Sequence, residues 1–274
     1  LDACFWRALT FYAERNYKQT LEALTVLESQ VKGGRLEPEV FYRIAATHYA
    51  KGDYNEALVS VKNYLKDYPT HLRVNEGRVL LGDIEMGRGN LELARSIFGN
   101  ILPSAGHLFT YAIFQVGKID RAMAGAAEIP EVRTRYLKAH LKHFQTYLER
   151  EDVPQKSRIS DALYWAGWTH VELGDERMAR DIFDRALDRH GDDPEAGEVI
   201  NIIDALARIE KRLNKLSRRD RNAELKAWIE DQKAIAFKSD RLTYYARLNL
   251  YLQSMVPPDE PTSLVFDTVE KVPL

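Results

Sequence analysis

One cysteine, Cys4, in 274 residues excludes an internal disulfide framework and any multi-cysteine metal site. No apolar run approaches the roughly 18 residues a membrane-spanning helix needs. Charge of one sign is not in excess: 39 Lys and Arg oppose 41 Asp and Glu, so bulk electrostatics favours neither nucleic acid nor an acidic partner. Also missing are a glycine-rich phosphate loop followed by lysine and a GxSxG nucleophile elbow, which removes two common routes to catalysis. Strand-type alternation is nearly absent too, with Ser263 to Phe266 the one short stretch that offers it. What remains is an ordinary globular composition, 45% hydrophobic and 29% charged, arranged with helical periods. The chain opens Leu1-Asp2-Ala3-Cys4-Phe5-Trp6, with no Met and no signal-like run, which reads as a fragment or a processed chain.

The stretch Pro38 to Pro69 sets the pattern. Phe41, Ile44, Ala45 and Tyr49 share a helical face, and Ala57, Leu58, Val61 and Leu65 share another. Between them Gly52 supplies the positive φ that closes one helix, and Asp53 stands ready to cap the next. Small residues at Ala45 and Ala57 let the two helices approach closely. A hairpin of this size cannot bury its apolar faces alone and calls for stacked neighbours.

The stretch resembles a tetratricopeptide repeat, at Phe41, Ile44, Ala45, Tyr49, Gly52-Asp53-Tyr54, Ala57, Val61 and Pro69. Further copies fall over residues 3–32, 73–102 and 159–190. The first lacks the turn glycine, Arg15 standing in its place, which reads as a degenerate copy or terminal cap. Residues 104–152 fit the repeat less well. There the preferred registration has a long or broken helix over 104–128 and a second over 131–151, with Phe144 and Tyr147-Leu148 matching Val61 and Tyr64-Leu65. The expected fold is all-α: a right-handed superhelical stack of hairpins over 1–190, a helical cap over 191–256 and an extended tail over 257–274. In the cap, Val199, Ile202, Leu206, Ile209, Leu213 and Leu216 form a heptad-like seam.

Four other features invite a chemical reading. His140 and His143 are the one close histidine pair; a metal site would need more ligands on that face, and two partly exposed histidines flanking Leu141 and Phe144 is the more economical view. Cys4, between apolar neighbours, reads as an inert packed thiol rather than a reactive or lipid-linked one. Glu149-Arg150-Glu151-Asp152 and Asp192-Asp193 lack the spacing of a calcium loop. Arg208, Lys211, Arg212, Lys215, Arg218, Arg219 and Arg221 make a basic stretch without the interleaved aromatics of a single-strand binder, which fits a solvated helix face.

First helices line the inner surface of a repeat stack, and here they are rich in aromatics. Trp6, Tyr12, Tyr42, Arg43, Tyr49, Asp83, Tyr111, Tyr164, Trp165 and Trp168 are the candidate partner-binding residues. In family members that bind chaperone tails, a clamp of Lys, Asn and Arg on these helices holds a terminal carboxylate. The corresponding positions here are Glu39, Arg43, Ala46 and Ala50, then Glu76, Leu80, Asp83 and Gly87, and only Arg43 has a suitable charge. The phrases NYLKDYPT and TYLEREDVPQKSRISDALYWAGWTHVELGD are similar to bacterial envelope repeat proteins, of the outer-membrane assembly lipoprotein and Tol–Pal-associated coordinator kinds.

That resemblance covers about residues 1–190. It implies a non-enzymatic scaffold, periplasmic or envelope-associated, that binds a protein or peptide, takes part in a membrane-associated complex and needs no cofactor, nucleic acid or small-molecule substrate. The alternatives are a regulatory or docking domain of a larger enzyme or secretion assembly, with a cytoplasmic setting, and a catalytic site between the repeats and the C-terminal helices.

Overall fold

The computed structural model describes residues 1–151, 153, 157–193, 198–213 and 220–254. Among them are 13 α-helices, one short 3-10 turn and no strand. They form two compact units, Leu1–Pro154 and Gln155–Leu274.

The first unit is four antiparallel hairpins: α1 (Asp2–Ala13) with α2 (Tyr17–Gln30), α3 (Glu37–Lys51) with α4 (Tyr54–Asp67), α5 (Val74–Gly87) with α6 (Leu91–Gly99), and α7 (His107–Ala126) with α8 (Pro130–Leu148). Each hairpin closes where a small residue on its first helix meets a larger one on its second. The pairs Ala8 and Leu24, Ala45 and Val61, and Gly82 and Phe98 are each 16 residues apart, and all six are buried. Volume is traded within the pair: alanine faces an aliphatic side chain, whereas glycine faces a phenyl ring. In the fourth hairpin the helices are longer and the partners are Gly117 and Phe144, whose ring occupies the space a Cβ on Gly117 would take. Residues 104–152 thus follow the preferred registration, but α7 is one unbroken helix, entered through a 3-10 turn at Pro103–Ala105.

The turns share one geometry. In the second hairpin Gly52 adopts φ +90°; its N–H donates to the Tyr49 carbonyl at 3.0 Å and the Asp53 N–H to the His48 carbonyl at 2.9 Å. The same pair of bonds closes the first hairpin from Arg15 and Asn16 to Tyr12 and Phe11, at 3.0 and 2.9 Å. Arg15 takes φ +57° to do so, so the missing glycine leaves the turn intact and places a strained non-glycine residue in it.

Asp53 is the N-cap of α4 yet makes no side-chain cap bond. Its carboxylate instead meets Lys51 Nζ at 2.5 Å and lies 3.7 Å from His48 Nδ1. The His48 and Asp53 positions recur: Glu85 accepts from Asn90 Nδ2 at 2.7 Å, and His170 lies 3.6 Å from Asp175. Each pair spans five residues across its turn.

Successive hairpins are tied through acidic residues at the starts of first helices. Asp2 pairs with Arg35 at 3.5 Å and Glu39 with Arg73 at 2.9 Å, separations of 33 and 34 residues, one repeat length. The first pair is exposed and worth little. The second is sheltered, and Arg73 also reaches Glu76 at 3.5 Å.

The second unit holds the hairpin α9 (Ser157–Glu172) with α10 (Glu176–His190), then α11 (Val199–Leu213), and the hairpin α12 (Asp220–Lys238) with α13 (Leu242–Ser254). Gly167 and Phe183, again 16 residues apart, close the first hairpin. Val199, Ile202, Leu206 and Ile209 of the seam are buried in one cluster with Phe183, Leu187, Ile229, Tyr244 and Leu248, so α11 spends its apolar face inside this unit. The side chains of Leu213 and Leu216 lie outside the described residues, as does the tail with its Ser263–Phe266 stretch.

Two features of this unit escape sequence reading. The α12–α13 turn repeats the hairpin geometry with Asp240 at φ +57° and the Arg241 N–H donating to the Ala236 carbonyl at 2.9 Å. In addition, α13 and the residue before it cover the end of α10: Arg241 donates to the Leu187 carbonyl and Arg247 to the Gly191 carbonyl, supplying donors and positive charge where a helix C-terminus lacks partners.

Candidate partner-binding surface

In the first unit α3, α5 and α7 are neighbours, and the helical period brings one side chain or two from each to a common row. Tyr12 of α1 stands within electrostatic reach of Arg43 on α3. The Arg43 guanidinium lies 5.7 Å from the centre of the Tyr42 ring, and Arg73 lies at the same distance from that ring. Farther along, the Tyr111 hydroxyl of α7 donates to Asp83 Oδ1 of α5 at 2.8 Å, and the charge of Asp83 also acts on Tyr49 of α3. Six sequence-chosen residues are therefore brought together: Tyr12, Tyr42, Arg43, Tyr49, Asp83 and Tyr111.

The electrostatics of this row keeps its phenols protonated. Burial raises the Tyr12 and Tyr42 hydroxyls above the usual phenol range, with Arg43 pulling weakly the other way. Burial and then Asp83 push Tyr49 up to about 12. The same two causes raise Tyr111. Phenols held protonated are donors and contact surface rather than nucleophiles. Asp83, only 8% exposed, keeps its carboxylate beside two of them.

The remaining candidates lie elsewhere. Trp6 is 65% exposed at the start of α1, edge-on to buried Phe5. Tyr164, Trp165 and Trp168 belong to the second unit. There Tyr164 and Trp168 pack on Phe183, each ring centre 6.4 Å away, while Trp165 stays 38% exposed. Trp168 leaves its indole N–H buried without a partner.

Sequence reading missed Glu39, Arg73 and Glu76 as a charged cluster beside Tyr42, although Arg73 follows Glu39 by one repeat length. It also missed Gln115, one turn after Tyr111 on α7. This side chain is buried, and its Oε1 has no partner.

Two expectations are corrected. His140 is fully buried rather than partly exposed, and its Nδ1 bonds the Gly117 carbonyl at 2.8 Å. His143 turns to Asp120 at 2.8 Å, a buried carboxylate that Arg95 reaches at 2.6 Å. The two histidines thus serve the α7–α8 hairpin rather than a metal, and among the described residues no group of three or more His, Cys, Asp or Glu could hold one. Cys4 is exposed rather than packed, because α1 turns Phe5 and Ala8 inward. Of the basic stretch, Arg208 is described, and Asp204 takes its charge at 2.6 Å. The side chains of Lys211, Arg212, Lys215, Arg218, Arg219 and Arg221 lie outside the described residues. No helix among the described residues is long and apolar enough to cross a membrane.

Comparison with known proteins finds two family models that match parts of the chain. Residues 2–97, which hold the first three hairpins, match the YfiO family, described as outer membrane lipoprotein. Residues 161–193, the α9–α10 hairpin, match a tetratricopeptide repeat family. No curated protein matches the chain in sequence.

Among solved structures, a tetratricopeptide repeat protein from Parabacteroides merdae is similar at TM-score 0.57 and 13% identity, covering 94% of each chain. The apo form of RapI is similar at 0.56 and 11% identity, over 91% of this chain and 94% of that one. The apo quorum sensor NprR from B. thuringiensis is similar at 0.55 and 16% identity, over 92% of this chain and 75% of that one. At such identities these likenesses show the fold alone. Hairpin geometry, the repeated small-against-large pairing and the two family matches together give this chain a tetratricopeptide-repeat fold, similar over residues 2–97 to the outer membrane lipoprotein family and over residues 161–193 to a tetratricopeptide repeat family.

Proposed function

We propose that the chain is a non-enzymatic scaffold that holds a peptide segment or protein surface against the first helices of its N-terminal hairpins. The observation that carries this reading is the joining of Tyr49, Asp83 and Tyr111 from three successive hairpins, with the Tyr111 hydroxyl on Asp83 at 2.8 Å. Aromatic side chains with polar tips give large contact area at small entropic cost, and the protonated hydroxyls of Tyr12, Tyr42 and Tyr49 offer donors to a partner's backbone. The tetratricopeptide repeat commonly mediates protein–protein interaction, in keeping with its quasi-one-dimensional stack of exposed helices. An envelope setting is supported by the outer membrane lipoprotein match over residues 2–97.

Site-specific photo-crosslinking tests the reading. A photoreactive residue at Tyr49 or Tyr111 should capture a partner in cells, whereas one at Val59, exposed on a second helix, should not. Equal capture from Val59, or none from either tyrosine, would remove the first-helix surface as the binding face.

A further inference from the structure

We propose that the first-helix surface selects an extended peptide segment with an internal aspartate or glutamate, whose side-chain carboxylate seats on Arg43. The inference rests on the scaffold reading and specifies its ligand. Arg43 is the cation of this surface that has no acid. Among the described residues no carboxylate pairs with it, and its Nε is buried without a partner. The nearby acids are engaged: Arg73 holds Glu39 at 2.9 Å and reaches Glu76 at 3.5 Å. Arg73 lies over the Tyr42 ring as Arg43 does, yet it is neutralised.

A buried guanidinium N–H left open is costly unless something accepts from it, and a carboxylate is the acceptor that matches both its charge and its fork of donors. The Tyr42 ring lies 5.7 Å from the guanidinium and Tyr12 stands within electrostatic reach of it, and partial shelter from solvent strengthens such a pair. An internal side chain suits the site better than a chain terminus. A terminal carboxylate draws on several cations or amides at once, and the neighbouring first-helix positions Ala46, Ala50, Leu80 and Gly87 supply no donor.

Binding of the full chain to short synthetic peptides tests this. The peptides share one extended apolar host sequence with both ends blocked, and differ at one central position: Asp or Glu, Asn or Gln, Lys or Arg, or phosphoserine. A further set has neutral centres and a free C-terminal carboxylate. The acidic peptides should bind about tenfold more tightly than their amide isosteres, as expected for one charged hydrogen-bonded pair. That preference should vanish in Arg43→Gln and persist in part in Arg43→Lys, with thermal melting checking that each variant is folded. If Arg43→Gln does not fold, the peptide-charge series on the native chain together with Arg43→Lys still decides.

Equal binding of amide or basic peptides overturns the inference and leaves the scaffold reading standing. So does an acidic preference that survives in Arg43→Gln, or binding confined to free C-termini or to phosphoserine. Failure of every peptide class to bind sinks the inference, and the scaffold reading falls with it only if photo-crosslinking at Tyr49 and Tyr111 also captures nothing.

Discussion

A Cβ on Gly82 would stand 2.7 Å from the ring carbons of Phe98, so the third hairpin closes only because residue 82 has no side chain. The equivalent positions are Ala45 and Val61 in the second hairpin and Ala8 and Leu24 in the first. The repeat conserves the summed volume of the pair rather than either residue. Gly82→Ala should therefore cost about 1–3 kcal/mol by overpacking. Adding Phe98→Leu should recover part of that loss, because the pair then matches Ala8 and Leu24. Urea unfolding of the two single variants and the double gives the coupling directly; strictly additive losses would show that the ring and the glycine are independent.

Gly167→Leu should destabilise more than Gly174→Asn. Phe183 fills the space beside Gly167, whereas nothing lies within 4 Å of a Cβ on Gly174, whose φ of +82° asparagine tolerates. The first change should cost about 1–3 kcal/mol or more and the second well under that. Comparable urea midpoints for the two variants would contradict the assignment of these positions.

Leu206→Asp should unfold or aggregate the second unit. Leu206 is 1% exposed within the cluster built around α11, and an unpaired carboxylate there is strongly unfavourable. Light scattering and circular dichroism decide: a well-folded monomer released from a well-folded dimer would mean that the seam is an oligomer interface.

Asp120→Asn should cost about 1–2 kcal/mol, because it removes the buried carboxylate that Arg95 and His143 share while both partners keep some solvent access. Urea unfolding checks this, and a loss below about 1 kcal/mol would place the pair with surface ion pairs of little worth.

Acid should weaken the second unit. Burial lowers His170, with Asp175 only partly opposing, and lowers His190 in the same way. A ring that resists protonation in the folded state binds fewer protons than it does unfolded. Its contribution is fully present above the unfolded value near 6.5 and is lost as pH falls through the lower folded value. Urea midpoints followed by tryptophan fluorescence should drop across that window, and His170→Gln should flatten the drop. Stability that rose on acidification would reverse the sign.

The sequence alone determined the helical class, the hairpin unit and the turns at Gly52, Gly89 and Gly174, because these follow from periodicity and backbone freedom within about 35 residues. It also marked Tyr12, Tyr42, Arg43, Tyr49, Asp83 and Tyr111, since repeat position fixes which side of a first helix a residue occupies. Tertiary structure decided what those side chains do. That Arg73 is held by Glu39 across two hairpins while Arg43 Nε finds no partner depends on distances that periodicity within one helix does not encode.

The same holds for Arg15, which takes a left-handed turn that its residue type disfavours, and for Asp240, whose type tolerates that backbone but does not by itself announce it. His140 and Cys4 were misjudged for a related reason. The rotation of each helix against its neighbours is a collective result of packing, and it buried the histidine under Gly117 while leaving the thiol in water.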